Sequence, residues 1–515
     1  MPITEQSSLE TIMLQVMSTR QIAASTLWQI GSQIAMAILS VISVKFVAIG
    51  LSKELAGAYN SSYGYLQLFA ILADFGLYAV SVREVSSAKH PEKVLGALIV
   101  LRSIIATLSL GAALLIAWII PAWAGSPLRI GITIASLVPF FTLLAGVLRT
   151  VFQVQYKMHL VFVAEVTQRI VTASLMAIVI IAGIRLSSDV RVFSYFIGVG
   201  ALGALILFCC SIFFAVRLTK IRPCFDRVLL SSLLWKAMPY GVAFLCIALY
   251  RQFDLTLIAL LRDDYAIQNA EYGFAARIAE MTYLIPTFLL NSTLPVLAAR
   301  HNAGHRTDTL LGKTLFLILI LGSLSALFSI FWARPVMQLL TTAAYLSTPD
   351  SPGADTALAL LGAPMFLNGI VLFSFYTLLT KHEWKVLVSR MVIAVFFSLG
   401  LNLWLIPPLG FVGAIAASTI THLFLALTLL PAALRILPIS FPYHYVSKWL
   451  SFSAVLALIL FITAPVLESI PSIVLGMALI SLLLPLLAFS LRFHHLFVVR
   501  KSQGTVLDGI GTIVE

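Results

Sequence analysis

Hydrophobic residues in this chain fall in long unbroken runs, not in alternation and not in narrow amphipathic stripes. Fourteen runs approach or exceed the roughly 20 residues that a helix needs to cross about 30 Å of hydrocarbon. They cover residues 22–49, 62–82, 94–118, 129–149, 160–183, 192–215, 233–261, 272–298, 311–333, 355–380, 386–406, 411–435, 447–467 and 471–492. Continuous runs exclude an outer-membrane barrel, whose strands alternate. The connections are short, so no soluble domain is inserted. The pattern predicts an all-α polytopic membrane protein with about 14 transmembrane helices. Ahead of them, Leu9, Ile12, Met13 and Val16 recur at helical spacing in residues 1–21, which reads either as an interfacial helix or as a frayed tail. Glu5 and Glu10 precede the first cation, Arg20, which argues against a signal peptide.

Composition agrees. The 515 residues are 60% hydrophobic and only 10% charged, whereas about a quarter of a soluble domain is charged. The net charge of +12 would point to nucleic acid in a soluble chain, but cytoplasmic loops of membrane proteins collect Lys and Arg. Alternate loops and span ends hold 22 and 6 of these cations, with the N-terminus on the richer side. Both termini are therefore expected in the cytoplasm, in the cytoplasmic (inner) membrane, with the bilayer and not nucleic acid as partner. Cys209, Cys210, Cys224 and Cys246 show no metal-binding spacing and read as small hydrophobes. No metal and no cofactor is expected.

The spans form two sets of six. Gly57-Ala58-Tyr59 opens the second, and Ala270-Glu271-Tyr272 opens the eighth. Spans 5–6 and 11–12 are each joined by a short loop with a glycine, Gly183 or Gly410. The expected organisation is a cytoplasmic N-terminal segment (1–21), a six-helix bundle (22–215), a basic linker (216–232), a second six-helix bundle (233–435), two extra helices (436–492) and a cytoplasmic tail (493–515). Six spans return the chain to its starting side, so the two pseudo-symmetric bundles are parallel repeats, an arrangement that suits a transporter with its substrate between the halves.

Several segments resemble the oligosaccharide-flippase, or polysaccharide-export, family of the multidrug/oligosaccharidyl-lipid/polysaccharide superfamily. Gly50 through Tyr59 (GLSKELAGAY) is similar to its first outer loop, and Asp74-Phe75-Gly76-Leu77 with Arg83-Glu84 to its second span. Gln268 through Glu280 (QNAEYGFAARIAE) is similar to the start of its eighth span. Asn402 through Pro407 with Gly410 through Ser418 is similar to its eleventh–twelfth hairpin, the most specific of these patterns. The resemblance spans essentially the whole chain. It implies two six-helix bundles around a central cavity, and transfer of a polyprenyl-diphosphate-linked oligosaccharide to the outer leaflet for surface polysaccharide (O-antigen) assembly, beside other polysaccharide-assembly membrane proteins. Lipid II flippases, which are related, typically carry an Arg-Asp pair in the first span; residues 22–49 hold none.

Nine charges stand out within spans: Lys45, Asp74, Arg102, Glu165, Arg169, Arg251, Asp254, Arg277 and Glu280, all in spans 1–8. Each costs about 2.5–3.5 kcal/mol to insert and so needs a partner or a hydrated cavity. Arginine grips a diphosphate bidentately and keeps its charge. That makes Arg102, Arg169, Arg251 and Arg277, with Lys45, the expected substrate-binding set. Asp74, Glu165, Asp254 and Glu280 are the expected ion-coupling or gating set. A rise of about 1.5 Å per residue sets Arg251 level with Glu280, and Asp254 level with Arg277. Buried pairs that lock spans 7 and 8 are the competing reading, as are a Glu165–Arg169 pair, a snorkelling Lys45 and an Asp74 that holds a bend near Gly76. Tyr59, Tyr63, Tyr65, Tyr240 and Tyr250 stand either as sugar platforms or as interfacial anchors. Pro139, Pro286, Pro295 and Pro364 are expected kinks or hinges. An ion-coupled drug or metabolite antiporter of the same superfamily, or a lipid II flippase, is the alternative transporter; no acid pair, His cluster or nucleotide loop supports an enzyme. His494-His495 reads as a solvated flank.

Overall fold

The computed structural model describes Trp28 and residues 31–32, 35–74, 76–302, 308–381, 383–437 and 439–490. The expectations for residues 1–21, for the tail after residue 492 and for His494-His495 lie outside the described residues. Within them the chain is helical, with isolated bridges such as Leu51–Ser187 but no named strand.

In chain order the main helices are α1 (Ala35–Gly50), α2 (Lys53–Asp74), α3 (Leu77–Ser87), α4 (Pro91–Ile119), α5 (Pro127–Ala135), α6 (Leu137–Val154), α7 (Met158–Ile181) and α8 (Val190–Leu218). They continue as α9 (Arg227–Leu261), α10 (Tyr265–Asn302), α11 (Asp308–Phe331), α12 (Ala333–Leu340), α13 (Ala354–Thr380), α14 (Trp384–Leu409), α15 (Phe411–Ile436), α16 (Val446–Thr463) and α17 (Ile470–Ser490). Eleven helical segments among the described residues are long and apolar enough to cross a membrane, which makes this a multi-pass membrane protein. The reading of 14 spans exceeds that number because α2 and α10 are not among the eleven, and only Ala35–Gly50 of the first span counts as continuous apolar helix.

Two expected spans are broken. Residues 62–82 read as one run, yet α2 ends at Asp74 and α3 starts after Gly76, which sits at φ 69°. Only glycine takes that backbone conformation at little cost. Its missing Cβ also matters, since one would lie 2.4 Å from the Gly241 amide nitrogen. Residues 129–149 divide at Ser136 into α5 and α6. Pro139 lacks the N–H that would bond the Ala135 carbonyl, so α5 stops there. Pro364, in contrast, lies within an uninterrupted α13. Helix α9 begins at Arg227, earlier than the hydropathy run, because Asp226 caps it by accepting from the Val228 and Leu229 amides at 2.9 and 3.2 Å.

Helices α2–α8 pack chiefly on one another, and α11, α13, α14 and α15 do the same; α9 and α10 touch both groups. Glycine permits the closest crossing: a Cβ at Gly57 on α2 would lie 1.6 Å from the Ala266 carbonyl oxygen of α10. Around this crossing, Asn60 Nδ2 donates to the Asn269 carbonyl at 3.0 Å and Asn269 Nδ2 to Ser61 Oγ at 2.8 Å. Lys53 meets the buried Glu271 at 2.6 Å. At the other end of the molecule α3 meets α9 through Gly76 against Gly241, and through a 2.6 Å Glu84–Lys236 ion pair. The two groups are thus tied at both ends.

Candidate functional site

Between those two seams lie two cavities. The first, about 580 Å³, is walled by α1, α2, α7, α9 and α10. Arg169, Arg251 and Arg277 all face it. No carboxylate among the described residues forms an ion pair with any of the three. Aromatic rings hold two of them. The Arg251 guanidinium sits 4.2 Å from the Tyr283 ring centre, and that of Arg277 lies 5.6 and 5.7 Å from the Tyr59 and Tyr63 rings. A ring face attracts a cation without neutralising it. The buried Nε–H groups of Arg169 and Arg251 have no hydrogen-bond partner among the described residues. The one acid on this wall, Glu280, accepts from Gln252 Nε2 at 2.8 Å.

The pairs expected from helix depth do not form. Arg251 does not bond Glu280, which takes Gln252 instead. Asp254 does not bond Arg277: it accepts the Tyr272 hydroxyl, buried between α9 and α10 and out of the cavity. Depth along a helix fixes height but not the direction in which a side chain leaves the axis. Nor does Glu165 pair with Arg169. It accepts from Arg149 at 2.9 Å and from the Ser32 hydroxyl, tying α6, α7 and the start of the chain together. Asp74 forms an ion pair with Arg102, whose side chain is 5% exposed against 36% for Asp74. Arg102 therefore stands behind the wall. Lys45 also stays out of the cavity: its ammonium binds the carbonyls of Gln338, at 3.2 Å, and Thr341 at the C-terminus of α12. That is where a cation best complements a helix.

The second cavity, about 760 Å³, continues from the first. Both are lined by Tyr63, Gln67, Ile71, Ile247 and Ala248. Its polar groups are Tyr63, Gln67, Asp74, Thr142, Thr287 and Tyr376. Of the tyrosines singled out from sequence, Tyr63 faces both cavities and Tyr59 packs against it at a tilt, with ring centres 4.8 Å apart. Tyr65 bonds the Ala113 carbonyl, Tyr240 packs on Trp384, and Tyr250 is buried against His422. Gln67 went unnoticed in the sequence, although a signal exists: Asn60, Tyr63, Gln67 and Asp74 recur at spacings of three, four and seven and so share one face of α2.

The hairpin motif proves architectural. Gly410 sits at φ 59°, and Gln268 Oε1 accepts from the Phe411 amide at 3.0 Å beside it. A Cβ at Gly413 would lie 2.1 Å from the Leu405 carbonyl oxygen.

Residues 22–301, more than half of the chain, match the family model described as "Polysaccharide biosynthesis protein". The chain belongs to the polysaccharide biosynthesis protein family. No curated protein matches this family member by sequence at a significant level. Among solved structures it is similar to the lipid II flippase MurJ in an inward closed conformation: TM-score 0.65, 16% identity, 92% of this chain and 100% of that one. It is also similar to a MATE-family multidrug transporter of the MOP superfamily, inward-facing, at TM-score 0.60 and 13% identity over 78% of this chain and 94% of that one. An outward-facing MATE transporter gives 0.55 and 16% over 81% and 96%. At such identities the likeness is one of fold. Family and fold together are those of a multi-pass membrane protein of the polysaccharide biosynthesis family that shares its fold with these structures.

Proposed function

We propose that this protein flips a polyprenyl-diphosphate-linked oligosaccharide across the cytoplasmic membrane for surface polysaccharide assembly, by alternating access between residues 22–215 and 233–435. The observation that carries the reading is the cavity faced by Arg169, Arg251 and Arg277, none of them in an ion pair with a carboxylate among the described residues. A membrane protein keeps such costly charges where an anion will meet them. A diphosphate satisfies the planar donor forks of guanidinium groups two oxygens at a time. The charge bias of the loops supports cytoplasmic termini and places the Gly57–Ala266 seam on the outer side and the Gly76–Gly241 seam on the inner side. In that frame the two seams stand at opposite ends of the cavities, and each parts in turn.

The test is a reconstituted flipping assay. Purified protein in liposomes receives a fluorescent polyprenyl-diphosphate oligosaccharide, and arrival in the far leaflet is read with an impermeant lectin or quencher. Accelerated arrival, lost in Arg251→Ala and Arg277→Ala at unchanged protein abundance, is expected. No acceleration, with uptake of a cationic dye under a proton gradient instead, would replace this reading with a drug antiporter.

A further inference from the structure

We infer that the second cavity is the glycan subsite, and that it selects an uncharged glycan. The inference rests on the reading of the arginine cavity as the diphosphate site. Five residues line both cavities, so a ligand held at its anionic end by Arg251 and Arg277 continues past Tyr63 and Gln67 into the space beside Asp74. At about 760 Å³ that space falls in the range of small-molecule sites, about 300–1,000 Å³, enough for a short run of sugars.

Its chemistry differs from the first. Asp74 is the one charged side chain on its wall among the described residues. Arg102 sits behind that carboxylate, buried, and holds it in place. A carboxylate so fixed accepts two hydroxyl hydrogens at once, as a sugar diol presents them. The Thr142 and Thr287 hydroxyls donate to carbonyls of their own helices, Val138 at 2.9 Å and Tyr283 at 3.1 Å. Their free lone pairs therefore face the cavity as acceptors. The wall is otherwise apolar, with Pro139, Leu143, Phe244 and Leu245 among its residues. Such a surface suits the C–H faces of pyranose rings and methyl-bearing groups, as in acetylated or deoxy sugars. Its donors, Tyr63, Gln67 and Tyr376, are neutral, and a uronate would meet the Asp74 carboxylate with no cation on the wall among the described residues.

Three lipid probes test this in proteoliposomes, all polyprenyl diphosphates: one with a single N-acetylhexosamine, one with a neutral tetrasaccharide, and one with a tetrasaccharide containing uronic acids. The wild type is expected to move the neutral tetrasaccharide about tenfold faster than the uronate form, the factor set by one charged hydrogen bond. Ala70→Trp, which fills the second cavity only, is expected to slow the tetrasaccharide at least about tenfold and the single-sugar lipid less than about twofold. Asp74→Asn is expected to show the same split, and carries the test if the tryptophan variant fails to fold. Equal slowing of both lipids in either variant would overturn the subsite, and in Asp74→Asn it would make Asp74 a gating or coupling group. No slowing, or equal rates for neutral and uronate glycans, would also overturn it. Movement of the single-sugar lipid that Arg277→Ala does not affect would instead overturn the reading of the arginine cavity.

Discussion

Gly57→Ala puts a methyl group where α2 and α10 cross. Its carbon would lie 1.6 Å from the Ala266 carbonyl oxygen and 2.5 Å from the carbonyl carbon. Ordinary contact begins at 3.4 Å, so the helices must part by about 1.8 Å at that level. The obstacle is backbone, and no side chain can swing aside to relieve it. Parting stretches the Asn60–Asn269 bond of 3.0 Å and the Asn269–Ser61 bond of 2.8 Å beyond hydrogen-bonding range. Overpacking of this kind costs about 1–3 kcal/mol. The cost falls only on states with this seam shut; a state in which α2 and α10 have separated accommodates the methyl freely. The variant therefore shifts the population toward the seam-open state by about 5- to 150-fold. The assay is the labelling rate of a cavity cysteine, Gln67→Cys, in a background without Cys209, Cys210, Cys224 and Cys246, by an impermeant maleimide applied from the outer side. Labelling should rise by that factor, and the thermal midpoint in detergent should fall. Unchanged labelling with an unchanged midpoint would show that this crossing does not close the cavity.

The opposite seam offers the mirrored experiment. In Gly76→Ala an L-residue is forced to φ 69° with its Cβ 2.4 Å from the Gly241 nitrogen and 2.9 Å from the Ala237 oxygen; labelling of the same cysteine should rise from the inner side and not the outer. Lys53→Met leaves Glu271 buried without its 2.6 Å partner, which costs about 3–5 kcal/mol when one member of a buried pair is removed; thermal unfolding by fluorescence should show this variant less stable than Lys53→Met/Glu271→Gln. Arg251→Lys should restore only part of the flipping lost in Arg251→Ala, because an ammonium keeps the charge but not the fork; full activity would remove the bidentate contact from the scheme. In the loop before α10, the Arg262 guanidinium beside Asp264 holds its carboxyl below the usual carboxylate range. A depressed folded value stabilises at pH above the unfolded value, about 4, and that contribution disappears as pH falls through the folded value; the acid side of a thermal-stability profile should flatten in Arg262→Gln.

Helix positions were legible in the sequence wherever apolar runs were continuous, as in α4, α7, α8, α13, α14 and α15. The breaks at Gly76 and Ser136 were not, because hydropathy continues across a residue whose role is purely conformational. The list of buried charges was legible too, since each is an oddity in hydrocarbon. Their partners were not. Arg102 finds Asp74 from another helix, Glu165 on α7 finds Arg149 on α6, and Lys45 finds the end of α12 nearly 300 residues away. Each pairing depends on how helices rotate about their own axes, and the long side chains of Arg and Lys reach several positions at nearly equal cost. Arg169, Arg251 and Arg277 are set apart by a negative property, the lack of an ion-pair partner among the described residues, which only packing reveals.

Two central helices less apolar than the other spans, α2 and α10, are among those that wall the cavity. This follows from what a polar path through a membrane requires. A helix that faces lipid all round is apolar all round. A helix that walls a hydrated cavity must carry polar groups on that side, as Asn60, Tyr63, Gln67 and Asp74 do on α2 and Arg277 and Glu280 on α10. It must also be shielded from lipid on its other sides, so it lies at the centre of the bundle. There it meets neighbours closely enough to need Gly57, Gly64 and Gly273, where a Cβ would fall within 1.6–2.7 Å of another helix. Low hydropathy, polar residues at helical spacing and interspersed glycine thus share one cause. The same helices form the seam at one end, so under the proposed function the elements that would contact the substrate are also the elements that would move for it to leave. A ligand bridging Tyr63 on α2 and Arg277 on α10 acts directly on the Gly57–Ala266 crossing, without any relay through the rest of the fold.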